Sequence, residues 1–413
     1  MTARQLRRIR IVTLGLLMIA GCVNYLDRSA VAIANAPIRQ SLGLSRAQMG
    51  VLLSAFSWSY GLSQIPVGVL IDRYGPRWLL TLGLCVWSCA QAAAGFAGGL
   101  GSFVTARLAL GVGESPLYLA GTKACTAWWG PGSRALPIGI FNASSALGPA
   151  IAPPILTVLI LGLGWRAAFV VIGALGLLVA VAWHALYRDP HADHQPDQPQ
   201  DRMPERTVAT TGPGDGWRAL LRTRTSWSMA TGFFGVIYLT WLYGAWLPDY
   251  LHSVLHLSLH QVGIWAAVPQ LCGFGGALLG GAVSHALGRR GVAPVAACVR
   301  PLVAGLLLAA AATAALALCR SAWPAILLSS LALFCANLAS SCGWALAAVA
   351  TGPASVATLE AIQNVGGSLG GALAPMLTGL LIDETQSFSA ALFTGAAVAV
   401  ASALIYATGM RAR

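Results

Sequence analysis

The sequence predicts an all-α integral membrane protein whose twelve transmembrane helices form two six-helix bundles. Three observations support this fold class. Hydrophobic residues make up 57% of the 413-residue chain and charged residues only 9%, whereas soluble domains carry roughly 25% charged residues. Twelve apolar stretches are each long enough to cross a bilayer, which takes about 20 residues. A hydrophilic segment, His191 to Gly216, separates the first six stretches from the last six.

The twelve apolar stretches follow one another along the chain, separated by short segments that hold most of the arginines. Glycine occurs 47 times in the chain, which suits the close packing of helices in a membrane. The predicted spans lie near residues 9–36, 47–71, 78–98, 103–127, 135–161, 165–187, 226–250, 260–287, 293–318, 322–350, 355–382 and 388–410.

The chain divides into an N-terminal bundle over residues 1–188, a linker over 189–225 and a C-terminal bundle over 226–413. The centre of the linker has almost no apolar residues, so it cannot bury a core of its own. After it, Trp217 and two leucines alternate with arginines. This pattern favours a short amphipathic helix at the membrane surface.

The arginines predict the orientation, because cytoplasmic loops of membrane proteins are enriched in lysine and arginine. With a cytoplasmic N-terminus, seventeen arginines fall in cytoplasmic segments and four, Arg39, Arg46, Arg166 and Arg320, in outside segments. Both termini and the linker are therefore predicted to be cytoplasmic. The net charge of +12 is scattered rather than gathered in one stripe, so we expect no nucleic-acid partner. Membrane lipid surrounds the chain, which we expect to be a monomer.

The identity of the basic residues also bears on whether the chain can bind ATP as an energy source. Twenty-four of the 25 are arginine, and the only lysine, Lys123, is followed by Ala124. A Walker A site needs Gly-Lys followed by Ser or Thr, so the chain cannot hold one. Transport driven by ATP bound to this chain is thereby excluded.

Cysteine and histidine give little reason to expect a metal or another cofactor. The nine cysteines lie mostly inside apolar runs and form no Cys-x-x-Cys pair, which is typical of small core residues. His252, His256 and His260 recur every four residues, a spacing that can hold a metal on one helix face. Few carboxylates accompany them, so we expect no metal site.

A ten-residue segment is repeated in the two halves of the chain. Residues 68–77 follow the second span and residues 281–290 follow the eighth, and two glycines and one arginine recur 213 positions apart. Repeats of this kind occur in transporters built from two parallel six-helix halves. The matched positions are Gly68 with Gly281, Gly75 with Gly288, and Arg77 with Arg290.

Three motifs resemble those of the major facilitator superfamily. Residues 68–77, Gly-Val-Leu-Ile-Asp-Arg-Tyr-Gly-Pro-Arg, match its loop signature, and residues 107–116 resemble its R-x-x-x-G-x-x-E pattern. Residues 24–28 with 54–66 are similar to the anion:cation symporter branch, which includes bacterial hexuronate and galactonate carriers and animal sialic acid and vesicular glutamate carriers. The resemblance implies a conformational role for five loop residues: Gly68, Asp72, Arg73, Gly75 and Arg77.

Four ionisable residues lie inside apolar spans of the first half: Asp27, Arg28, Arg107 and Glu114. A charge at the bilayer centre costs at least about 2.5 kcal/mol, so each needs a reason. Arg107 and Glu114 are seven residues apart on one helix face, about 10 Å along the axis. One reading is that Asp27 with Arg107, or Arg28 with Glu114, forms a structural ion pair.

The other reading couples a proton to an anion. Burial favours a protonated carboxyl group, whereas a neighbouring arginine favours the carboxylate. An anionic substrate that occupies the arginine therefore frees the acid to hold a proton. The resemblance implies that Asp27 and Glu114 are the proton-coupling residues and that Arg28 and Arg107 bind the substrate anion.

Further residues are candidates for lining the substrate cavity. Tyr60, Gln64 and Asn364 match polar positions of the family. Asn142, Ser145, Tyr238, Trp241 and Trp344 are placed only by their spans, and aromatic residues in such positions are more often packing residues. Glu360 departs from the family pattern, so it either complements a helix N-terminus or belongs to an inner gate.

Taken together, the residues and the resemblance predict a secondary active transporter and not an enzyme. The expected activity is proton-coupled uptake of a small organic anion, most of all a sugar acid, by alternating access in a bacterial inner membrane. The proton is the only coupling partner, and no cofactor is needed. The alternative is a proton-coupled exporter, because residues 139–154 partly resemble the glycine-proline motif of antiporters.

Overall fold

The computed structural model describes residues 3–129, 135–189, 220–350 and 356–410. Every regular element in these ranges is helical. The first half contains α1 (Ala3–Ile33), α2 (Asn35–Leu42), α3 (Arg46–Tyr74), α4 (Pro76–Ala94), α5 (Leu100–Glu114), α6 (Pro116–Trp128) and α7 (Ala135–Leu186). The second half contains α8 (Arg224–Ser253), α9 (Leu259–Trp265), α10 (Ala267–Arg289), α11 (Pro294–Leu316), α12 (Ala322–Ala350), α13 (Val356–Thr385) and α14 (Phe388–Gly409).

Eight helical segments of the described chain are long and apolar enough to cross a membrane. Large hydrophobic side chains such as Val158, Leu178, Leu278 and Leu327 are exposed along them, each by more than half. An apolar surface of this extent needs a lipid environment. The protein is therefore an integral membrane protein, while the number of twelve spans and their orientation stay predictions.

The chain separates into two compact units, Met1–Leu42 with Ala55–Val208 and Gly43–Ser54 with Ala209–Arg413. In the first unit, the long helix α7 packs against α1 and α4, and α4 packs against α5. In the second, α8 packs against α13 and α14, and α12 packs against α10 and α11. Most of the predicted 189–225 linker, including Trp217, lies outside the described residues.

Two of the predicted spans, 135–161 and 165–187, correspond to two helices that meet within α7. They are separated by a kink at Gly164, whose φ of 77° and ψ of 158° are not helical. Glycine is the residue that adopts positive φ without steric cost. The bend therefore falls in the short interval that the hydropathy pattern left between these two spans.

The predicted span over 103–127 is divided into two helices at Ser115, whose own backbone stays helical, with φ of −57° and ψ of −29°. Pro116 has no backbone N–H to donate to the carbonyl of Val112, four residues earlier. The Ser115 hydroxyl donates to that carbonyl instead, at 2.8 Å. The Glu-Ser-Pro sequence thus ends α5 and starts α6, and it places Glu114 at the last position of α5.

The two loop segments are not equivalent in backbone geometry. Gly75 has φ of 83° and immediately precedes α4. Its predicted counterpart, Gly288, lies inside α10, and the positive φ in that loop belongs to Gly291. The 213-residue spacing therefore aligns the sequences of the two loops but not their turns, because α10 continues through Gly288.

Candidate functional site

A buried ion pair joins α1 to the end of α5. Arg28 Nε donates to Glu114 Oε2 at 2.7 Å, and the Glu114 side chain is fully buried, while that of Arg28 is 13% exposed. Of the two pairings that the sequence left open, the structure forms Arg28 with Glu114. The short distance is that of a charge-assisted hydrogen bond.

Three aromatic rings surround the Arg28 guanidinium. Its central carbon lies 5.2 Å from the ring centroid of Tyr25, 4.8 Å from that of Phe56 and 4.7 Å from that of Tyr60. Phe56 and Tyr60 are four residues apart on α3, so they share a face, and their rings stack at 5.5 Å. A cation over an aromatic face gains about 0.5–2 kcal/mol per contact, which helps to hold Arg28 out of water.

Arg107 uses the same aromatic ring as Arg28. Its guanidinium carbon lies 5.2 Å from the centroid of Phe56, and its side chain is only 2% exposed. Its Nε and Nη1 atoms have no hydrogen-bond partner among the described residues. A buried cation with unused donors is a ready site for an anion, because leaving such donors unpaired costs about 1–3 kcal/mol or more.

Asp27 is the second buried acid of this unit. Its side chain is 1% exposed, and neither carboxyl oxygen has a hydrogen-bond partner within the part of the chain that the structure describes. Arg107, Arg28 and Glu114 all lie within electrostatic range of it. Because Asp27 and Arg28 are consecutive on α1, their side chains point about 100° apart, and only Arg28 reaches Glu114.

Gly111 allows α5 to approach α3 at this point. A Cβ atom at Gly111 would lie 2.6 Å from the Phe56 carbonyl oxygen and 2.9 Å from the Tyr60 nitrogen, both backbone atoms. The glycine between Arg107 and Glu114 therefore makes room for a helix rather than for a ligand. It brings the α3 aromatics against both arginines.

The other predicted cavity residues of this unit are less closely placed around the ion pair. Gln64 is half-buried, one turn beyond Tyr60 on α3, and Asn142 is exposed on α7. The Ser145 hydroxyl donates to the Asn142 carbonyl at 2.7 Å, within its own helix. Among these residues only Tyr60 contacts Arg28.

The predicted aromatic residues of the second unit lie on α8 and α12. Tyr238 is buried beside Phe234, and Trp241 packs against Gly371 of α13. Trp344 is 42% exposed and meets Phe233 edge-on at 5.0 Å.

Two adjacent amides of α13 differ in burial. Asn364 is exposed. Its neighbour Gln363 is fully buried, donates to the Gly343 carbonyl at 3.1 Å, and keeps an unpaired Oε1 among the described residues.

The loop motif positions the start of α4 against the end of α7. Arg77 donates from Nε and Nη2 to the His184 carbonyl, at 3.2 and 2.7 Å. Lys123 donates to the Ile71 carbonyl at 3.0 Å. Partial burial raises the pKa of Asp189, just beyond α7, whereas Arg77 and Lys123 act to lower it.

The remaining loop residues are less informative. Arg73 stacks on Tyr74 at 5.3 Å and Gly68 packs near Leu119, while the side chain of Asp72 lies outside the described residues. The turn needs glycine only at Gly75, whose φ is positive.

Glu360 and the three histidines stand apart from this arrangement. Glu360 is half-buried in the first turns of α13. His252 belongs to α8, His256 to the following loop and His260 to α9, so the three do not share one helix. No group of three possible metal ligands occurs among the described residues.

Sequence reasoning missed three aromatic residues of the site. Tyr25 and Phe56 lie inside the motifs at residues 24–28 and 54–66, but only their contacts with Arg28 reveal a role. Tyr118, two residues into α6, interacts with Tyr25 and Arg28 and packs on Phe141 at 5.1 Å. The available signal was spacing: Phe56 and Tyr60 share one face of α3, as do Tyr25 and Arg28 on α1.

Comparison with known proteins agrees with this arrangement of helices. The family model described as Major Facilitator Superfamily matches residues 17–299. A bacterial homolog of the human lysosomal transporter Spinster, solved in an inward-facing and unoccupied conformation, has a TM-score of 0.80 at 21% identity and covers 97% of this chain and 95% of its own. At that identity the likeness concerns the fold.

Sequence relatives are closer. The probable L-galactonate transporter of Escherichia coli (strain K12) is 39% identical over 97% of this chain and 89% of its own length. The hexuronate transporter of Bacillus subtilis (strain 168) is 31% identical over 94% and 92%. Proteins of this kind are transporters and not enzymes. With the matched family model and the buried charges inside apolar helices, these relatives establish that the chain belongs to the Major Facilitator Superfamily.

Proposed function

We propose that the protein imports a sugar acid together with a proton across the bacterial inner membrane, by alternating access. The relatives named for L-galactonate and hexuronate support a sugar acid, and two buried arginines support an anion. The observation that carries the proposal is the Arg28–Glu114 ion pair at 2.7 Å, beside a second acid and a second arginine with unused hydrogen-bonding atoms.

Substrate binding exchanges one carboxylate for another. The carboxylate of the sugar acid accepts hydrogen bonds from Arg28, whose planar guanidinium can donate two in parallel. Arg28 Nη2 has no hydrogen-bond partner among the described residues, so the substrate can bind there first and then displace Glu114 from Nε. Once the substrate competes for Arg28, Glu114 loses part of its stabilisation as a carboxylate and takes up a proton.

Asp27 and Arg107 extend the same coupling. Both are buried, and among the described residues the two Asp27 oxygens and the Nε and Nη1 atoms of Arg107 have no hydrogen-bond partner. Each residue lies within electrostatic range of the other. An anion held near Arg107 reduces the positive field at Asp27 and favours its protonated form. Protonation of the acids and binding of the anion then stabilise each other, which is thermodynamic coupling between two ligands.

The aromatic residues position the guanidinium and contact the sugar. Tyr25, Phe56 and Tyr60 hold Arg28 from three sides. The tyrosine hydroxyls can accept or donate hydrogen bonds to the hydroxyls of the substrate. Phe56 contacts both arginines, so its ring shields the two guanidinium groups from water without neutralising their charge.

The coupling is tested with purified protein in liposomes and radiolabelled galactonate. Asp27→Asn and Glu114→Gln should abolish accumulation driven by an inward proton gradient while counterflow exchange stays measurable, because exchange needs no net proton movement. Accumulation at the wild-type level in both variants would refute the coupling. Uptake driven only by an outward proton gradient would instead support the exporter.

Anion recognition is tested by thermal-shift titration with galactonate, glucuronate, a dicarboxylate and an aromatic acid. Arg28→Ala and Arg107→Ala should each remove most of the shift that sugar acids give with the wild type, since each removes a charged donor. Arg8→Ala is a matched control, because Arg8 is an exposed arginine near the start of α1, about 20 residues before Arg28. Unchanged shifts in both arginine variants would exclude this arginine pair as the anion site.

A further inference from the structure

A cavity of about 550 Å³ lies at the N-terminal end of α1, away from the ion pair of Arg28 and Glu114. The volume is within the range of small-ligand sites, roughly 300–1,000 Å³. Its lining combines two arginines, one tryptophan and three aliphatic side chains. These residues are Leu6, Arg7, Arg10, Ile11, Leu14 and Trp129.

The lining residues of α1 form one helix face with a polar and an apolar end. Arg7, Arg10, Ile11 and Leu14 follow the spacing i, i+3, i+4 and i+7, which places them on one side of a helix. The cations come first along the chain and the aliphatic residues follow. Ile11 is 61% exposed, although it stands at the start of an apolar run that continues to Asp27.

Arg10 is held in place for binding. Its Nε donates to the Trp128 carbonyl at 2.8 Å, and its guanidinium carbon lies 5.5 Å from the centroid of the Trp129 ring. Among the described residues these two contacts use one of the five N–H donors, so the terminal nitrogens can donate to an anion. Arg7, one turn earlier, is exposed and adds a second positive charge.

We infer that this cavity binds the headgroup of an anionic phospholipid, with the phosphate on Arg7 and Arg10 and an acyl chain along Ile11 and Leu14. A phospholipid has this same order of charge and apolar surface. Basic pockets between membrane helices bind anionic headgroups, and tryptophan is enriched at the membrane interface. A free phosphate ion would bind the arginines but would leave the aliphatic lining residues Leu6, Ile11 and Leu14 in contact with water.

The site is independent of the transport proposal, because none of its residues contacts the buried acids or their arginines. Two further arginines of α1, Arg4 and Arg8, are exposed and do not line the cavity. They provide a matched control, since their removal takes away the same charge from the same helix end. Non-specific attraction to a negative surface would depend on all four arginines alike.

The test is native mass spectrometry of the full-length protein titrated with phosphatidylglycerol or with phosphatidylcholine of the same acyl chains. The wild type should retain phosphatidylglycerol selectively. Arg7→Gln/Arg10→Gln should weaken that binding by about 20- to 30-fold, as expected for two arginines at a lipid surface. Arg4→Gln/Arg8→Gln should change it much less. Counterflow exchange should be retained in both double variants.

Three results would overturn the inference. Equal retention of the two lipids by the wild type would show that the charge of the headgroup is not recognised, whatever the variants do. Equal losses in the two double variants would indicate a diffuse surface charge. Competition by millimolar inorganic phosphate as effective as that by phosphatidylglycerol would assign the cavity to a soluble anion.

Discussion

Glu114→Gln removes the negative partner of Arg28 while keeping the shape of the side chain. The acid is fully buried and lies 2.7 Å from Arg28 Nε. Removing one member of a buried ion pair costs about 3–5 kcal/mol, because the other charge stays buried. The glutamine carbonyl still accepts a neutral hydrogen bond worth about 1 kcal/mol, so we expect a net loss of roughly 2–4 kcal/mol.

Asp27→Asn is the matched control for this change. It is also a buried carboxyl-to-amide substitution, but neither oxygen of Asp27 accepts a hydrogen bond from the described residues. We therefore expect the apo variant to be at least as stable as the wild type. Thermal melting in one detergent, with the three proteins measured side by side, compares the two predictions.

Ligand binding supplies a second readout for the same pair of variants. In the wild type, a sugar acid must compete with Glu114 for Arg28, whereas in Glu114→Gln it meets an uncompensated cation. Saturating ligand at about 100 times the dissociation constant stabilises a protein by about 2.7 kcal/mol. We expect the stabilisation at a fixed galactonate concentration to be larger in Glu114→Gln than in the wild type. The reasoning is refuted if apo Glu114→Gln melts with the wild type, or if galactonate stabilises it less.

Two further predictions concern packing and helix ends. Gly111→Ala should destabilise the fold by about 1–3 kcal/mol or more through overpacking, and so lower the yield of folded protein, since its Cβ would lie 2.6 Å from the Phe56 carbonyl oxygen. The control is Gly139→Ala, where nothing lies within 4 Å of the added Cβ, and identical size-exclusion profiles for the two variants would contradict the prediction. Asp383→Asn should lower the melting temperature. The Asp383 carboxylate accepts hydrogen bonds from the first two backbone N–H groups of α3, at 3.0 and 2.7 Å, and a hydrogen bond to a charged group contributes about 1.5–3 kcal/mol. Glu384→Gln, exposed at the next position, is the control, and equal melting temperatures for the two would rule out the capping role.

Much of the fold was predictable because bilayer insertion depends on composition and length. The interval between the fifth and sixth spans coincides with the bend at Gly164, since hydropathy falls where the chain must turn. The break after Glu114 was not predicted, although Pro116 was visible, because a proline can also be accommodated by a kink within one helix. The structure adds the hydrogen bond from the Ser115 hydroxyl to the Val112 carbonyl, which Pro116 cannot reach with an N–H.

In the candidate site, too, some residues were predictable from the sequence and others were not. A spacing of seven places Arg107 and Glu114 on one face of a helix whatever its surroundings, so the sequence alone identified them as a set. It also identified Tyr60, because Tyr60 stands in a motif. It did not identify Phe56 as the ring that both arginines share, since an aromatic residue in an apolar helix is ordinarily a packing residue.

By itself, the sequence determined that this protein lies in a membrane, that it carries two acids and two arginines inside apolar helices, and that it has a major facilitator loop. Only the tertiary structure decided which acid meets which arginine. Asp27 and Arg28 are neighbours in sequence, but successive helical side chains diverge by about 100°, and the packing of α1 against its neighbours determines their directions. In the structure Arg28 points to Glu114, whereas neither Asp27 oxygen has a hydrogen-bond partner in the described part of the chain, because side-chain direction depends on how the helices are rotated against one another.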